Sequence, residues 1–386
     1  MTHIASLHLT NFRSYEAAQI NDLPAGPVVL YGPNGAGKTN VLEALSFLTP
    51  GRGLRGAKVG EIQRCYTSSA ESAWAVSTVA DTPYGTIKLG TGRDPQKEKR
   101  IIRINGETAK SQSMLTEYLS VIWLTPQMDR LFLDSAGTRR RFLDRLVFAF
   151  DPGHAGRVTR FENAMSQRSK ILKENTYPDP VWMDALESTM AETGVAIAAA
   201  RLDFAARLQA ACDHADDTHF PRAFLQITGT IDELLTRAPA LEVEDLFKYQ
   251  LKQTRAQDAQ TGGAATGPHK SDLRVRYAAK NMPADQCSTG EQKALLIGII
   301  LAHAQLIAAE RGAPPILLLD EVAAHLDESR RAGLYDLLLS LKTQVWLTGT
   351  DAGLFTALQN DAFYCEIEDG QITPGLEPIA DTRYKA

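Results

Sequence analysis

One eight-residue run near the start of this chain limits its fold more than any other feature. Gly32-Pro33-Asn34-Gly35-Ala36-Gly37-Lys38-Thr39 follows an apolar stretch, Val28–Tyr31, and opens a helical pattern over Asn40–Leu48. Strand, glycine-rich turn and helix, in that order, are the context in which G-x-x-x-x-G-K-[ST] holds a phosphate. Glycines let successive backbone N–H groups curl round an anion with no Cβ in the way. The helix N-terminus adds partial positive charge at the same place. Lys38 should reach the β- and γ-phosphates of ATP, and the Thr39 hydroxyl should ligate Mg²⁺.

A second segment completes such a site. Pro315-Ile316-Leu317-Leu318-Leu319-Asp320-Glu321 reads as a buried strand ending in two carboxylates. Asp320 is placed to hold Mg²⁺ and Glu321 to polarise an attacking water. Ser288-Thr289-Gly290-Glu291-Gln292, after Cys287 and before Lys293, resembles the signature of ATP-binding-cassette proteins. Taken alone it is a helix N-cap with a capping-box turn. Its place, 30 residues before Asp320 and about 250 after Lys38, favours the signature. In that class the serine hydroxyl, glycine amide and helix N-terminus bind the γ-phosphate held by a partner subunit. The resemblance then puts Ala324-His325-Leu326-Asp327 at the D-loop. It puts Gln127, after the strand Val121–Leu124, beside Mg²⁺ and the attacking water. The stretch Leu347-Thr348-Gly349-Thr350-Asp351 has no histidine where the class often has one, which leaves Thr350 as a candidate phosphate sensor.

Around these motifs the chain falls into three zones. Residues 1–150 alternate short strands with turns: Ile4–Leu9, Pro27–Tyr31, Ser72–Ala80, Thr86–Gly90, Arg100–Ile104 and Val121–Leu124. The zone from about 154 to 260 is mostly helical, with the Pro178/Pro180 pair between its first two helices. Trp182, Leu186, Met190, Ile197, Leu202 and Ala205 recur at helical spacing, as do Leu241, Phe247 and Leu251. After the small-residue loop Gly262–Gly267 comes a helix over 290–310, a strand Pro315–Leu319, a helix over 328–341, a strand Gln344–Thr348 and a β-rich tail. The expected architecture is α/β: an ATPase head from 1–150 and 262–386, interrupted by a helical arm over 151–261.

The 41 Lys/Arg and 46 Asp/Glu give a net charge of −5, which excludes an all-over polycation. The charge is unevenly distributed: residues 1–170 hold 22 bases and 15 acids (+7), and the remaining 216 hold 19 and 31 (−12). A split of that kind points to a polyanion partner for part of the surface. Cys65, Cys212, Cys287 and Cys365 lack metal-ligand spacing, which argues against zinc or a disulfide framework and suits a reducing compartment. The first residues do not read as a signal peptide and the apolar runs are short for a membrane span, so a soluble cytoplasmic protein is expected.

With these pieces placed, the chain resembles the RecF family, recombination mediators in the structural-maintenance-of-chromosomes branch of cassette ATPases. The resemblance runs nearly end to end. It rests on Leu9-Thr10-Asn11-Phe12-Arg13-Ser14-Tyr15, Gly35–Ala44, Gly51–Arg55 and Leu124-Thr125-Pro126. Two further segments are more specific: Gly137-Thr138-Arg139-Arg140-Arg141-Phe142-Leu143-Asp144 and Gly267-Pro268-His269-Lys270-Ser271-Asp272. The departures are a single acid at Asp272, Glu291 and Lys293 where Gln and Arg are common, and the Gln127-Met128 pair.

The resemblance implies an ATP-dependent DNA-binding protein of recombinational repair and replication-fork maintenance. It implies an ATP-driven homodimer that clamps duplex or gapped DNA and is reset by slow, DNA-stimulated hydrolysis. It also implies work with RecR and RecO in loading RecA. Non-specific DNA binding needs Lys and Arg aimed at phosphates. The candidates are Arg52, Arg55 and Lys58; Arg93, Lys97, Lys99, Arg100 and Arg103; and Arg139, Arg140 and Arg141, unless the triplet pairs with acids such as Asp134 and Asp144. Three other readings fit less well. A transporter's nucleotide-binding subunit lacks such a helical insert. A chromosome tether needs long coiled coils or a Cys-x-x-Cys hook. A coupled nuclease needs a further acidic metal-binding domain.

Overall fold

The computed structural model describes residues 2–64, 73–94, 96, 99–174 and 179–375. Packing divides the chain into two compact units, residues 1–128 with 304–386, and residues 129–303.

The first unit contains two six-stranded sheets. One is antiparallel, in the order Tyr15–Ile20, His3–Phe12, Ala75–Thr82, Gly85–Arg93, Arg100–Ile104 and Glu107–Thr108. The other is parallel at its centre, in the order Gln371–Pro374, Phe363–Glu368, Pro27–Tyr31, Val345–Gly349, Ile316–Leu319 and Val121–Leu124. Only Gln371–Pro374 runs antiparallel to its neighbour. The central strands are continuous apolar runs because both faces of a parallel sheet are covered. Ile316–Leu319, Val121–Leu124 and Val345–Gly349 are buried at every position. Leu319 lies opposite both Leu124 and Leu347, so the next residues on three strands emerge together at the carboxyl edge.

The helix Lys38–Ser46 joins both sheets in one core with Ile4, Leu9, Phe12, Val28, Leu30, Val41, Phe47, Trp74 and Trp346. Phe12 and Phe47 both meet Trp74 edge-on or tilted. A buried amide clips the sheets together. Gln344 Oε1 accepts from Ile4 N–H at 2.9 Å, and its Nε2 donates to the carbonyls of Ile4 (2.9 Å) and Pro24 (2.8 Å).

The second unit is built on the helices Ala136–Phe150, His154–Glu174, Pro180–His214 and Ala240–Gln253, with a short helix Arg255–Thr261. The long helices at 154 and 180 run antiparallel, since Arg160 reaches Glu192 and Arg168 reaches Glu187. Phe161, Met183, Met190, Ile197, Val243, Phe247 and Leu251 fill the space between the helices. The 154–260 zone is not purely helical: Ala223–Thr228 pairs with Asp272–Tyr277, which also pairs with Met282–Pro283. Of the apolar stripe expected on the 180–214 helix, Leu186, Met190, Ile197 and Ala205 are buried and Leu202 is half-buried, and the stripe departs from expectation at its start. Met183 is buried and Trp182 is 54% exposed, and Leu241 is likewise exposed at the start of its helix.

Packing also sets a unit boundary different from residues 150 and 262. Arg139 binds the Asp272 carboxylate with two bonds, at 2.7 and 2.8 Å, and Arg201 binds Asp144 at 2.8 Å through each of two nitrogens. These pairs hold the 136–150 helix and the 262–277 segment among the arm helices. Among the described residues, Thr289–Arg311 alone is long and apolar enough to cross a membrane, and 72% of its apolar window is buried in the fold.

Arg168 is fully buried. It reaches Glu187 (3.0 Å), Asp258 (2.8 Å) and the Leu251 carbonyl (2.6 Å), so it ties four helices together. Arg168→Ala would leave the buried Asp258 without its countercharge and Glu187 with Arg255 alone, and we expect it to cost about 3–5 kcal/mol. A denaturant melt followed on the helical signal will show that loss, whereas Arg160→Ala, at a largely exposed pair, should cost about 1 kcal/mol or less.

Candidate nucleotide site

The glycine-rich turn leaves the sheet at Tyr31 and closes on the helix beginning at Lys38. Two glycines are required by space as well as by conformation. At Gly32 (φ +144°) a Cβ would sit 2.1 Å from the Ile367 carbonyl oxygen. At Gly37 (φ +117°) it would sit 2.7 Å from the Tyr15 hydroxyl, which itself donates to the Gly37 carbonyl at 3.1 Å. Lys38 is buried within the turn, and its Nζ donates to the carbonyls of Gly32 (2.7 Å) and Pro33 (2.9 Å). Burial lowers the lysine pKa, and the nearby Glu321 and Asp320 carboxylates oppose that shift. Pro33, Asn34 and Gly35 are exposed at the mouth of the turn, with Ala36 buried behind them.

Thr39 Oγ1 lies 3.0 and 3.1 Å from the two oxygens of Asp320. Residues separated by 281 positions thus meet at the sheet's carboxyl edge. A hydroxyl beside a carboxylate is a hard-oxygen pair that suits Mg²⁺, which takes few protein ligands and keeps its waters and the nucleotide's phosphates. Burial raises the Asp320 pKa, partly offset by the bonds from Thr348 and Thr39. Glu321, next in sequence, adopts φ +52°, the left-handed region that non-glycine residues seldom enter. Gln127 is exposed in the turn after Val121–Leu124, the strand paired with Ile316–Leu319.

The sequence did not reveal the brace behind this site. Glu43 has no exposed surface, yet Arg13 grips its carboxylate at 2.8 and 2.7 Å and Arg55 Nη1 reaches it at 2.9 Å. Arg55 also donates to Asn40 Oδ1 (2.8 Å), and Asn40 to Ser14 Oγ (2.8 Å). The site's threonine was also misplaced. Thr350 is exposed beyond the strand, while the buried Thr348 donates to Asp320 Oδ1 at 2.8 Å.

A family model described as the RecF/RecN/SMC N terminal domain matches residues 3–369. The DNA replication and repair protein RecF of Mesorhizobium japonicum is 48% identical over 376 residues, which are 97% of this chain and 98% of that protein. Its namesake in Agrobacterium fabrum is 47% identical over 373 residues, 96% and 98% of the two chains. The chain belongs to the RecF family. Solved folds agree. The recombination mediator protein RecF with ATPrS, in the RecFOR pathway, superposes with a TM-score of 0.82 at 20% identity, covering 97% of this chain and 98% of that one. A Pyrococcus furiosus Smc head domain gives 0.54 at 14% identity, over 97% and 96%.

The segment that resembles the cassette signature, Ser288–Gln292, lies in the second unit. Ser288, Thr289 and Gly290 are exposed at the start of the helix Thr289–Arg311. Glu291 Oε2 accepts from both the N–H and the hydroxyl of Ser288 at 2.8 Å, and Lys280 pairs with its other oxygen. These bonds hold the Glu291 carboxyl down at about 2. Gln292 is buried and donates to the Cys287 carbonyl at 2.9 Å, and Lys293 is buried beside Asp129 at 3.5 Å. Of the D-loop residues, Ala324 is exposed, Leu326 is buried, and Asp327 caps the next helix by accepting from Arg330 N–H at 2.8 Å. The His325 side chain lies outside the described residues.

The basic candidates divide by burial. Arg52, Lys58, Lys99, Arg103 and Arg141 are exposed. Lys97 and Cys65 lie outside the described residues. Arg100 is not a surface contact. It is 8% exposed, stacks on Phe47, and donates to the carbonyls of Gly51 (2.7 Å) and Thr49 (3.0 Å), to the Phe47 carbonyl, and to Thr91. A guanidinium enclosed by carbonyls fixes a loop, and burial brings its pKa down to about 10. Arg139 is likewise committed to Asp272 rather than to the Asp134 or Asp144 carboxylate, and Arg140 donates to the Ser271 carbonyl at 2.6 Å.

Two outcomes follow. Gly37→Ala should lose about 1–3 kcal/mol of nucleotide binding, about 5- to 150-fold in affinity, measurable by titration with a fluorescent ATP analogue. The folded pKa of Glu291 lies below its ordinary value of 4.5, so its cap contributes fully above pH 4.5 and is lost as pH falls toward 2. A carboxyl NMR titration of Glu291 will show a midpoint near 2, and Lys280→Ala will move it upward.

Proposed function

We propose that this chain is an ATP-binding protein of DNA replication and repair that grips DNA as an ATP-dependent homodimer and hydrolyses ATP slowly to let go. The observation that carries the reading is the convergence of Lys38, Thr39, Asp320 and Glu321 on one edge of a parallel sheet. Gly32–Thr39 cradle the phosphates, and Thr39 with Asp320 would hold Mg²⁺, which would neutralise phosphate charge. Glu321 orients the attacking water and receives its proton, and Gln127 serves the same water and Mg²⁺. Ser288, Gly290 and the helix start behind them serve the partner's γ-phosphate, and the D-loop of Ala324–Asp327 crosses the dimer interface. The head is the sheet-bearing part and the arm the helical insert. DNA phosphates meet the exposed Arg52, Lys58, Lys99, Arg103 and Arg141, together with Arg55 from the brace. Named relatives in replication and repair, and a solved homologue placed in the RecFOR pathway, support a cytoplasmic role with RecR and RecO in loading RecA.

Two substitutions separate the steps. Lys38→Arg should weaken ATP-dependent DNA binding, and Glu321→Gln should bind ATP and stay dimeric on gel filtration. A Glu321→Gln protein that elutes as a monomer with ATP and Mg²⁺ contradicts the clamp. DNA affinity should rise with ATP and fall steeply as salt increases, since each phosphate contact releases counterions. Equal, salt-insensitive binding with and without ATP overturns the reading.

A further inference from the structure

Three buried groups at the carboxyl edge of the parallel sheet form a relay around Thr348, the fourth residue of the strand Val345–Gly349. Its hydroxyl donates to Asp320 Oδ1 at 2.8 Å and accepts from the backbone N–H of Glu321 at 2.8 Å. Thr348 is 1% exposed, so its bond to Asp320 is shielded from water. The second bond is the informative one. A peptide unit is planar, so fixing the Glu321 N–H fixes the plane entering Glu321. With φ at +52°, that plane sets where the Glu321 side chain leaves the strand end. A glutamate in the left-handed region is strained by itself and persists only where neighbours enforce it. Thr348 supplies that enforcement, and through the same oxygen it orients the Asp320 carboxylate toward Thr39.

We infer that Thr348 is a positioning residue for ATP hydrolysis. It locks the Asp320–Glu321 peptide so that the Glu321 carboxylate faces the water while Asp320 faces the metal. This rests on the ATPase reading above. No other side chain type does both jobs at this volume except serine, because the group must donate and accept at once. Valine matches threonine in shape but offers neither bond. It leaves the Glu321 N–H without its partner and lets the peptide turn out of the left-handed region.

The test uses the full-length protein with DNA and Mg²⁺. Turnover is measured with ATP, affinity with a non-hydrolysable ATP analogue, and folding by thermal melting. Thr348→Ser should keep turnover within about threefold of the wild type. Thr348→Val should keep analogue affinity within about threefold, because Thr39 still contacts both Asp320 oxygens, but lower kcat by about tenfold or more, because the general base is displaced. In a Glu321→Gln background, adding Thr348→Val should lower the residual turnover no further, since both changes act on one group. Thr348→Ala, smaller and equally apolar, should reproduce the valine result. Wild-type turnover in Thr348→Val overturns the inference, as do equal losses of affinity and kcat, or additive losses in the Glu321→Gln background. If both apolar variants fail to bind the analogue, Thr348 is structural only and the inference fails. A wild type that binds the analogue yet never hydrolyses ATP overturns the ATPase reading itself, and this inference with it.

Discussion

The Asp320 carboxylate is the contact on which the head depends. It closes the strand Ile316–Leu319 and receives Thr39 from the start of one helix and Thr348 from the end of the adjacent strand. Those three segments come from sequence positions near 39, 320 and 348, and only the parallel sheet brings them together. Its register, with Leu319 opposite both Leu124 and Leu347, decides that the reacting groups share one edge. Slipping one strand by a residue would turn every side chain over and separate the hydroxyls from the acid. The apolar runs of the sheet are therefore as much part of the site as the polar residues at its rim.

That reasoning also explains what the sequence could and could not show. The glycine turn, Lys38, Asp320 and Glu321 were legible because their chemistry is dictated by phosphate and metal, and their local context is short. The strands Pro27–Tyr31 and Val121–Leu124 were legible to the residue because buried strands leave uninterrupted apolar runs between turn residues. Thr348 was passed over for Thr350 because a hydroxyl's role depends on what stands across the strand, and pairing is not written in local spacing. The strand Ala223–Thr228 escaped because its partner, Asp272–Tyr277, is about 50 residues away and neither is long.

Charge was the least legible property. Arginines read as a surface for DNA proved to be of two kinds. Arg100 is enclosed by carbonyls, and Arg139 holds an aspartate with both arms of its guanidinium. Arginine suits both tasks, since its planar fork can bind a phosphate or satisfy several buried acceptors equally well. Counting bases in residues 1–170 therefore overstates the positive surface, because Arg13, Arg100 and Arg168 each answer an internal acceptor.

The brace under the phosphate turn shows why an internal charge is useful at such a site. Glu43 lies one turn beyond Thr39 on the nucleotide helix and is completely enclosed. Left unpaired, a carboxylate there would be costly and would set negative charge behind the phosphates. Arg13, from the first strand's end, and Arg55, from the loop after the helix, neutralise it and fix both segments against the helix. Arg55 is still about one-third exposed, so it meets both solvent and the helix that carries the phosphate turn. Without Arg55, Glu43 would keep only Arg13 as its countercharge and Asn40 Oδ1 would lose its donor. One guanidinium thus ties the loop after the helix to the helix that carries the phosphate turn.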